Sequence, residues 1–161
     1  MKFKKNNIII LVLLFTIAST TEAGFQFNLN LGMDDPEATD TRNTSGYMAH
    51  FQLATDPSSL RMVSGFTYLM AGTLTQGEFT VGGNYYPLAF VGEKSPVLPF
   101  VQVTGVFGVG SFQDEVRMDT GYGLGVGVDI NAFKGSGLTI MIEQHNATES
   151  ATRTYVGYFW R

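Results

Sequence analysis

The sequence predicts an all-β domain, a closed eight-stranded antiparallel up-and-down barrel set in a membrane and preceded by a cleavable signal peptide. Three observations predict it. Beyond Gly24, apolar residues recur at every second position almost without interruption, which is the period of a pleated strand with one apolar face. No part of that region carries the i, i+3, i+4, i+7 stripe of an amphipathic helix. Charged residues make up only 15% of the chain, against ~25% in soluble domains, yet the mean hydropathy is a modest +0.08.

The N-terminus is expected to be removed. Lys2, Lys4 and Lys5 form a positive region, Ile8 to Ala18 an apolar run broken by Thr16, and Thr21-Glu22-Ala23 a small-residue cleavage site. The run fits the ~7–15 residues of a signal peptide and falls short of the ~20 that cross a bilayer as a helix. The division is therefore 1–23 signal peptide and 24–161 barrel domain. Cleavage removes three Lys and one Glu, making the remainder more acidic than the −4 of the whole chain. An acidic exported chain without clustered Lys or Arg is not a nucleic-acid binder. The absence of Cys excludes disulfides, thiolate nucleophiles, Cys-ligated zinc and a lipid-modified N-terminal Cys.

Each segment follows by alternation. The first sets Phe25, Phe27, Leu29, Leu31 and Met33 against Gln26, Asn28, Asn30 and Gly32, before an acidic connector from Asp34 to Ser45. The second sets Tyr47, Ala49, Phe51 and Leu53 against Met48, His50 and Gln52, and Asp56-Pro57-Ser58-Ser59 reads as a turn. The third carries Leu60, Met62, Phe66, Tyr68 and Met70 opposite Arg61, Gly65 and Thr67. After Gly72–Gly77 the fourth places Phe79, Val81 and Tyr85 against Thr80, Gly82, Asn84 and Tyr86, and a Pro-containing connector runs on to Pro99. The fifth sets Val101, Val103, Phe107 and Val109 against Gln102, Thr104, Gly108 and Gly110. In the sixth, Tyr122, Leu124, Val126, Val128 and Ile130 alternate with Gly121, Gly123, Gly125, Gly127 and Asp129. The seventh places Leu138, Ile140 and Ile142 against Thr139, Met141, Glu143 and His145. The eighth places Thr154, Val156, Tyr158 and Trp160 against Arg153, Tyr155, Gly157, Phe159 and Arg161.

Eight such strands make either a soluble barrel with an apolar lumen or a membrane barrel with an apolar exterior. The polar face favours the membrane form: it carries Gln, Asn, Thr and Gly with little Lys or Glu, unlike a solvated exterior. Glycine gathers on that face, as in a narrow lumen filled by larger neighbours. Aromatics end the apolar rows, as interfacial girdles do. Phe27, Leu29, Phe51, Phe66, Val103, Leu124, Val126, Val128, Ile140, Ile142 and Val156 are expected to face lipid. Phe25, Tyr47, Tyr68, Phe79, Tyr85, Tyr122, Tyr158 and Trp160 are expected at the ends of the rows.

Tyr85-Tyr86-Pro87-Leu88 closing one strand, Pro99-Phe100-Val101 opening the next, the Gly121–Asp129 strand and the aromatic last strand resemble small outer-membrane β-barrels of the OmpA/OmpX/OmpW type. The last strand departs from that type in following Trp160 with Arg161. The resemblance implies a bacterial outer-membrane location, with lipid, lipopolysaccharide and the barrel-assembly machinery as partners, and a monomer. It also implies that the connectors Asp34–Ser45, Ala71–Gly77, Gln113–Thr120 and Asn146–Ala151 face outward, and a structural, envelope-stability or surface-interaction role.

Candidate chemistry is sparse. His50, Arg61, Asp129, Glu143, His145 and Arg153 are the expected lumen network, with Glu78 at its margin, and Glu143–Arg153 beside His145 is the economical ion pair. The acidic connectors carry Asp34, Asp35, Glu37 and Asp40, then Asp114, Glu115 and Asp119, without EF-hand spacing. No phosphate loop, Gly-x-Ser-x-Gly elbow or His-Glu-x-x-His occurs; no cofactor, metal or catalytic residue is expected. Two alternatives stand beside this reading. Glu143, His145 and Ser150 could act in a lipid A acyl hydrolase or transferase. A soluble periplasmic barrel would instead line an apolar ligand cavity with Tyr122, Leu124 and Val126.

Overall fold

The computed structural model describes residues 24–37, 44–55, 59–88, 95–112, 115–147 and 150–161; the expected signal peptide, 1–23, lies outside them. Eight strands follow in chain order: β1 (Phe25–Pro36), β2 (Gly46–Thr55), β3 (Leu60–Ala71), β4 (Leu74–Tyr85), β5 (Val97–Phe112), β6 (Glu115–Phe133), β7 (Ser136–Asn146) and β8 (Ser150–Trp160). Each pairs antiparallel with its successor, and β8 returns to β1 from Phe27↔Trp160 to Pro36↔Ala151, closing the barrel. The architecture is the expected all-β, up-and-down one. Closure leaves no unpaired edge. Phe25 of β1 and Trp160 of β8 lie at one rim, called here the terminal rim; the opposite one is the far rim.

The strands run further than turn composition indicates. β1 continues to Pro36, so Asp34 and Asp35 belong to a strand and not to the connector. The β3–β4 link shrinks to Gly72-Thr73, where Gly72 takes φ 60, a conformation glycine adopts without strain. β6 spans 19 residues from Glu115, drawing Asp119 and Thr120 out of the expected 113–120 connector. β5 starts at Val97, so Pro99 lies within it, near its first residue, where a missing N–H interrupts little. Polar residues extend strands here because the neighbouring backbone is already in place to bond them, which composition alone does not register.

Burial follows the period. Inward residues are Gln26, Asn28, Asn30, His50, Gln52, Arg61, Thr67, Asn84, Gln102, Thr104, Asp129 and Thr139, filled out by Met48, Leu69, Leu98, Phe100, Met141, Tyr155 and Phe159. The predicted crowding around glycine takes a specific form at Gly127, where a Cβ would meet Phe100 Cε1 at 2.8 Å and the Ile140 carbonyl at 2.8 Å. The outward set is apolar on every strand. Tyr122, Leu124 and Val126 are 51%, 48% and 60% exposed, so they line the exterior and no ligand cavity. Phe79, expected to end its row, instead sits mid-strand. It registers between Phe66 and Phe107, and Phe66 in turn on Phe51, so four exposed phenylalanines form a continuous belt across β2 to β5.

Candidate functional site

The lumen is the one place where ionisable groups converge among the described residues, and register explains how. On one wall, Glu78 of β4 and Asp119 of β6 flank Gly108 of β5. On the other, Glu143 of β7, Arg153 of β8 and Asp34 of β1 stand in a row. Arg153 crosses the lumen from this row. Its Nη1 and Nη2 donate to Glu78 Oε2 and Oε1, both at 2.6 Å, and its Nε donates to Asp34 Oδ1 at 2.6 Å. All three side chains are buried. This bidentate fork is the strongest geometry a guanidinium offers a carboxylate.

Glu143–Arg153, the pair expected from sequence, is therefore corrected. The two residues are direct cross-strand partners, but the guanidinium reaches over the lumen to Glu78 and, on the other side of its own strand, to its cross-strand partner Asp34. Arginine is long enough to span a narrow barrel, and a two-point contact with Glu78 outweighs a contact with its cross-strand neighbour. Glu143 instead borders His145, with Oε1 3.8 Å from Nδ1. His145 Nε2 lies 3.8 Å from Glu78 Oε1. Neither spacing is a hydrogen bond. Gln76 Nε2 donates to Glu78 Oε1 at 3.0 Å and to Asp119 Oδ2 at 3.3 Å.

Nearer the terminal rim a second cluster surrounds Asp129. It accepts from Thr139 Oγ1 at 2.6 Å, Tyr86 OH at 3.0 Å and Gln26 Nε2 at 3.4 Å, with Arg61 Nη1 at 3.7 Å. Arg61 lies over the Tyr86 ring, 4.0 Å from its centroid, and donates to Gln26 Oε1 at 2.7 Å. Arg161, which departs from the resembling proteins, turns its Nε to Gln26 Oε1 at 2.9 Å and covers the Phe159 ring. Between the clusters run amide ladders, Asn28 to Gln52 and Gln102 to Asn84, and His50 Nδ1 sits 2.8 Å from Thr67 Oγ1.

All six residues expected in the lumen are thus buried there: Glu143, His145 and Arg153 in the first cluster, Arg61 and Asp129 in the second, and His50 between them. Sequence reading placed Asp34 and Asp119 in outer connectors and left Glu78 at the margin. A signal for all three was available in their phase: Asp34 continues the even-numbered polar set of β1, Glu78 that of β4, and Asp119 the odd-numbered glycine set of β6. Asp40 and Asp114 lie outside the described residues. Ser150 lies on the exterior-facing phase of β8, opposite to the buried Ala151 and Arg153, so the sheet separates it from the inward His145. The residues of the proposed acyl-transfer set are not brought together.

No protein-family model matches the sequence, and no curated protein matches it. Among solved structures, Neisserial surface protein A has a TM-score of 0.66 at 13% identity, covering 87% of this chain and 99% of that one. The N-terminal β-barrel domain of Pseudomonas aeruginosa OprF has a TM-score of 0.60 at 6% identity, covering 86% and 98%. OprG from Pseudomonas aeruginosa has a TM-score of 0.58 at 12% identity, covering 86% and 95%. The likeness is one of fold: that of small eight-stranded outer-membrane barrels.

Proposed function

We propose that this chain, which has the fold of small outer-membrane barrels, is an integral bacterial outer-membrane protein with a structural, envelope-stability or surface-interaction role and no catalytic site. One observation carries the reading: the outward faces of the strands are mostly apolar and exposed, while most of their charged and amide side chains are buried. Soluble monomers expose contiguous apolar patches of only ~300–600 Å², and a band running around a whole barrel calls for hydrocarbon as its solvent. In this reading Met1 to Ala23 is the cleaved export signal. The outward apolar residues from Phe27 to Val156 meet lipid, and Tyr47, Tyr68, Tyr85, Tyr122, Tyr158 and Trp160 sit toward its interfaces. Lipid, lipopolysaccharide and the assembly machinery are its partners, and the barrel is a monomer.

The packed lumen argues against a wide pore. Eight strands enclose space for side chains and little else, and the Arg153–Glu78 fork bridges opposite walls. The proposal predicts that the protein fractionates with outer membranes and resists carbonate extraction. On gels it should migrate differently before and after boiling, as closed membrane barrels do. Recovery as a soluble periplasmic monomer would overturn it.

A further inference from the structure

We infer that the far half of the lumen is a binding site for a divalent transition-metal ion, held by Glu78, Asp119 and His145. The three residues come from three strands, and one ligand atom of each lies within 4.8 Å of the others. Small side-chain rotations close that spacing onto an ion with bonds of ~2.0–2.2 Å. Gly108 makes the approach possible: a Cβ there would lie 3.3 Å from Glu78 Cγ and 3.4 Å from Asp119 Cβ. The absent side chain lets the two carboxylates lean together across β5.

A second observation points to a ligand. His145 is 2% exposed, and its Nδ1 has no hydrogen-bond partner. Its ring stands between the Glu78 and Glu143 carboxylates at 3.8 Å on either side, too far to bond to either. A buried imidazole bordered by carboxylates is a nitrogen donor in a field that attracts cations. The surroundings also resemble a supporting shell. Gln76 donates to both Glu78 and Asp119, and Arg153 grips Glu78 from the far side, fixing the carboxylates as outer contacts do around metals. These donors take two lone-pair directions on Glu78 Oε1 and one on Oε2, so Oε2 keeps one for an ion.

Donor chemistry sets the class of ion. One imidazole with carboxylate oxygens, in a chain without Cys, suits Zn²⁺, Ni²⁺ or Cu²⁺ better than Mg²⁺ or Ca²⁺, which favour all-oxygen shells. Entry is from the far rim, because Asp119 is half-buried whereas Glu78 and His145 are buried. The sequence offered no ligand spacing for this site, since its residues lie on β4, β6 and β7 and meet only through closure.

The test uses the full-length, untagged chain refolded in detergent, with Zn²⁺ as the probe. After loading and desalting, the barrel should retain about one Zn²⁺, and its X-ray absorption spectrum should show one imidazole nitrogen among oxygen ligands. His145→Gln and Asp119→Asn should each weaken Zn²⁺ binding by tenfold or more. Asp35→Asn, which alters an exposed acid bonded to Ser45, should leave it unchanged. Failure of the wild-type barrel to retain Zn²⁺, or binding by both variants as tight as that of the wild type, overturns the inference. If the variants do not refold, the wild-type spectrum decides: an imidazole in the shell supports the site, and an all-oxygen shell sinks it.

Discussion

At the scale of single residues, Glu78 is the pivot of the lumen. It is fully buried and takes both terminal nitrogens of Arg153, so removing its charge leaves a buried guanidinium with Asp34 as its remaining described carboxylate partner. Breaking one side of such a pair costs about 3–5 kcal/mol. Glu78→Gln is expected to lower the unfolding free energy by that order, measured by urea titration of the vesicle-inserted barrel. The double replacement Glu78→Leu with Arg153→Met should recover only part of the loss, because it removes both members of the fork but also takes from buried Asp34 the Nε–H that it accepts. A loss under ~1 kcal/mol for Glu78→Gln would show that the fork is not structural. The fork also explains why sequence reading chose the wrong partner for Arg153. Cross-strand neighbours are legible from spacing, but contacts across a lumen are not.

At the scale of the strand, β6 shows that its glycines have unequal tasks. A Cβ at Gly127 would press on Phe100 and, at 2.8 Å, on the Ile140 carbonyl, whereas one at Gly125 meets the Met141 sulfur at 3.3 Å, with the Ile142 carbonyl at 3.4 Å and Gln102 Cβ at 3.5 Å in ordinary contact. Methionine is flexible and yields; a ring wedged against backbone does not. Gly127→Ala is therefore expected to destabilise by about 1–3 kcal/mol through overpacking. Gly125→Ala should be neutral or stabilising, since glycine within a strand is itself worse than alanine by roughly 0.5–1 kcal/mol. Equal effects in chemical denaturation would refute this distinction. The sequence placed glycine on the lumen face correctly, yet which glycine supports which neighbour depends on the register of β5 and β7 against β6.

At the scale of the whole molecule, inversion is the dominant fact: polar groups inside, a continuous apolar surface outside. Val126, 60% exposed and flanked by Val101 and Ile142, tests it. In a bilayer Val126→Arg should cost about 2–4 kcal/mol, as charged residues do near the midplane. In detergent micelles, whose headgroups and water lie closer, the cost should be much smaller. Equal stability of wild type and variant in vesicles would argue against a lipid-facing position. The belt of Phe51, Phe66, Phe79 and Phe107 belongs to this scale too. Each phenylalanine reads as one apolar position among many, and only the register joins them into a row.

By itself the sequence determined the strands, their two faces and the closed eight-strand count, because side-chain alternation is a local property and survives without knowledge of neighbours. It also determined that the lumen would hold His50, Arg61, Asp129, Glu143, His145 and Arg153. Only the tertiary structure decided which of these meet. Closure brings β4 opposite β8 and β1 beside it, so Arg153 reaches Glu78 and Asp34 instead of Glu143, and the register of the sheet brings Asp119 near His145. It also decided where strands end, since a polar residue joins a ladder whenever a neighbouring backbone offers it bonds. Pairing partners across a lumen are set by barrel width and stagger, quantities that belong to all eight strands together and to none of them alone.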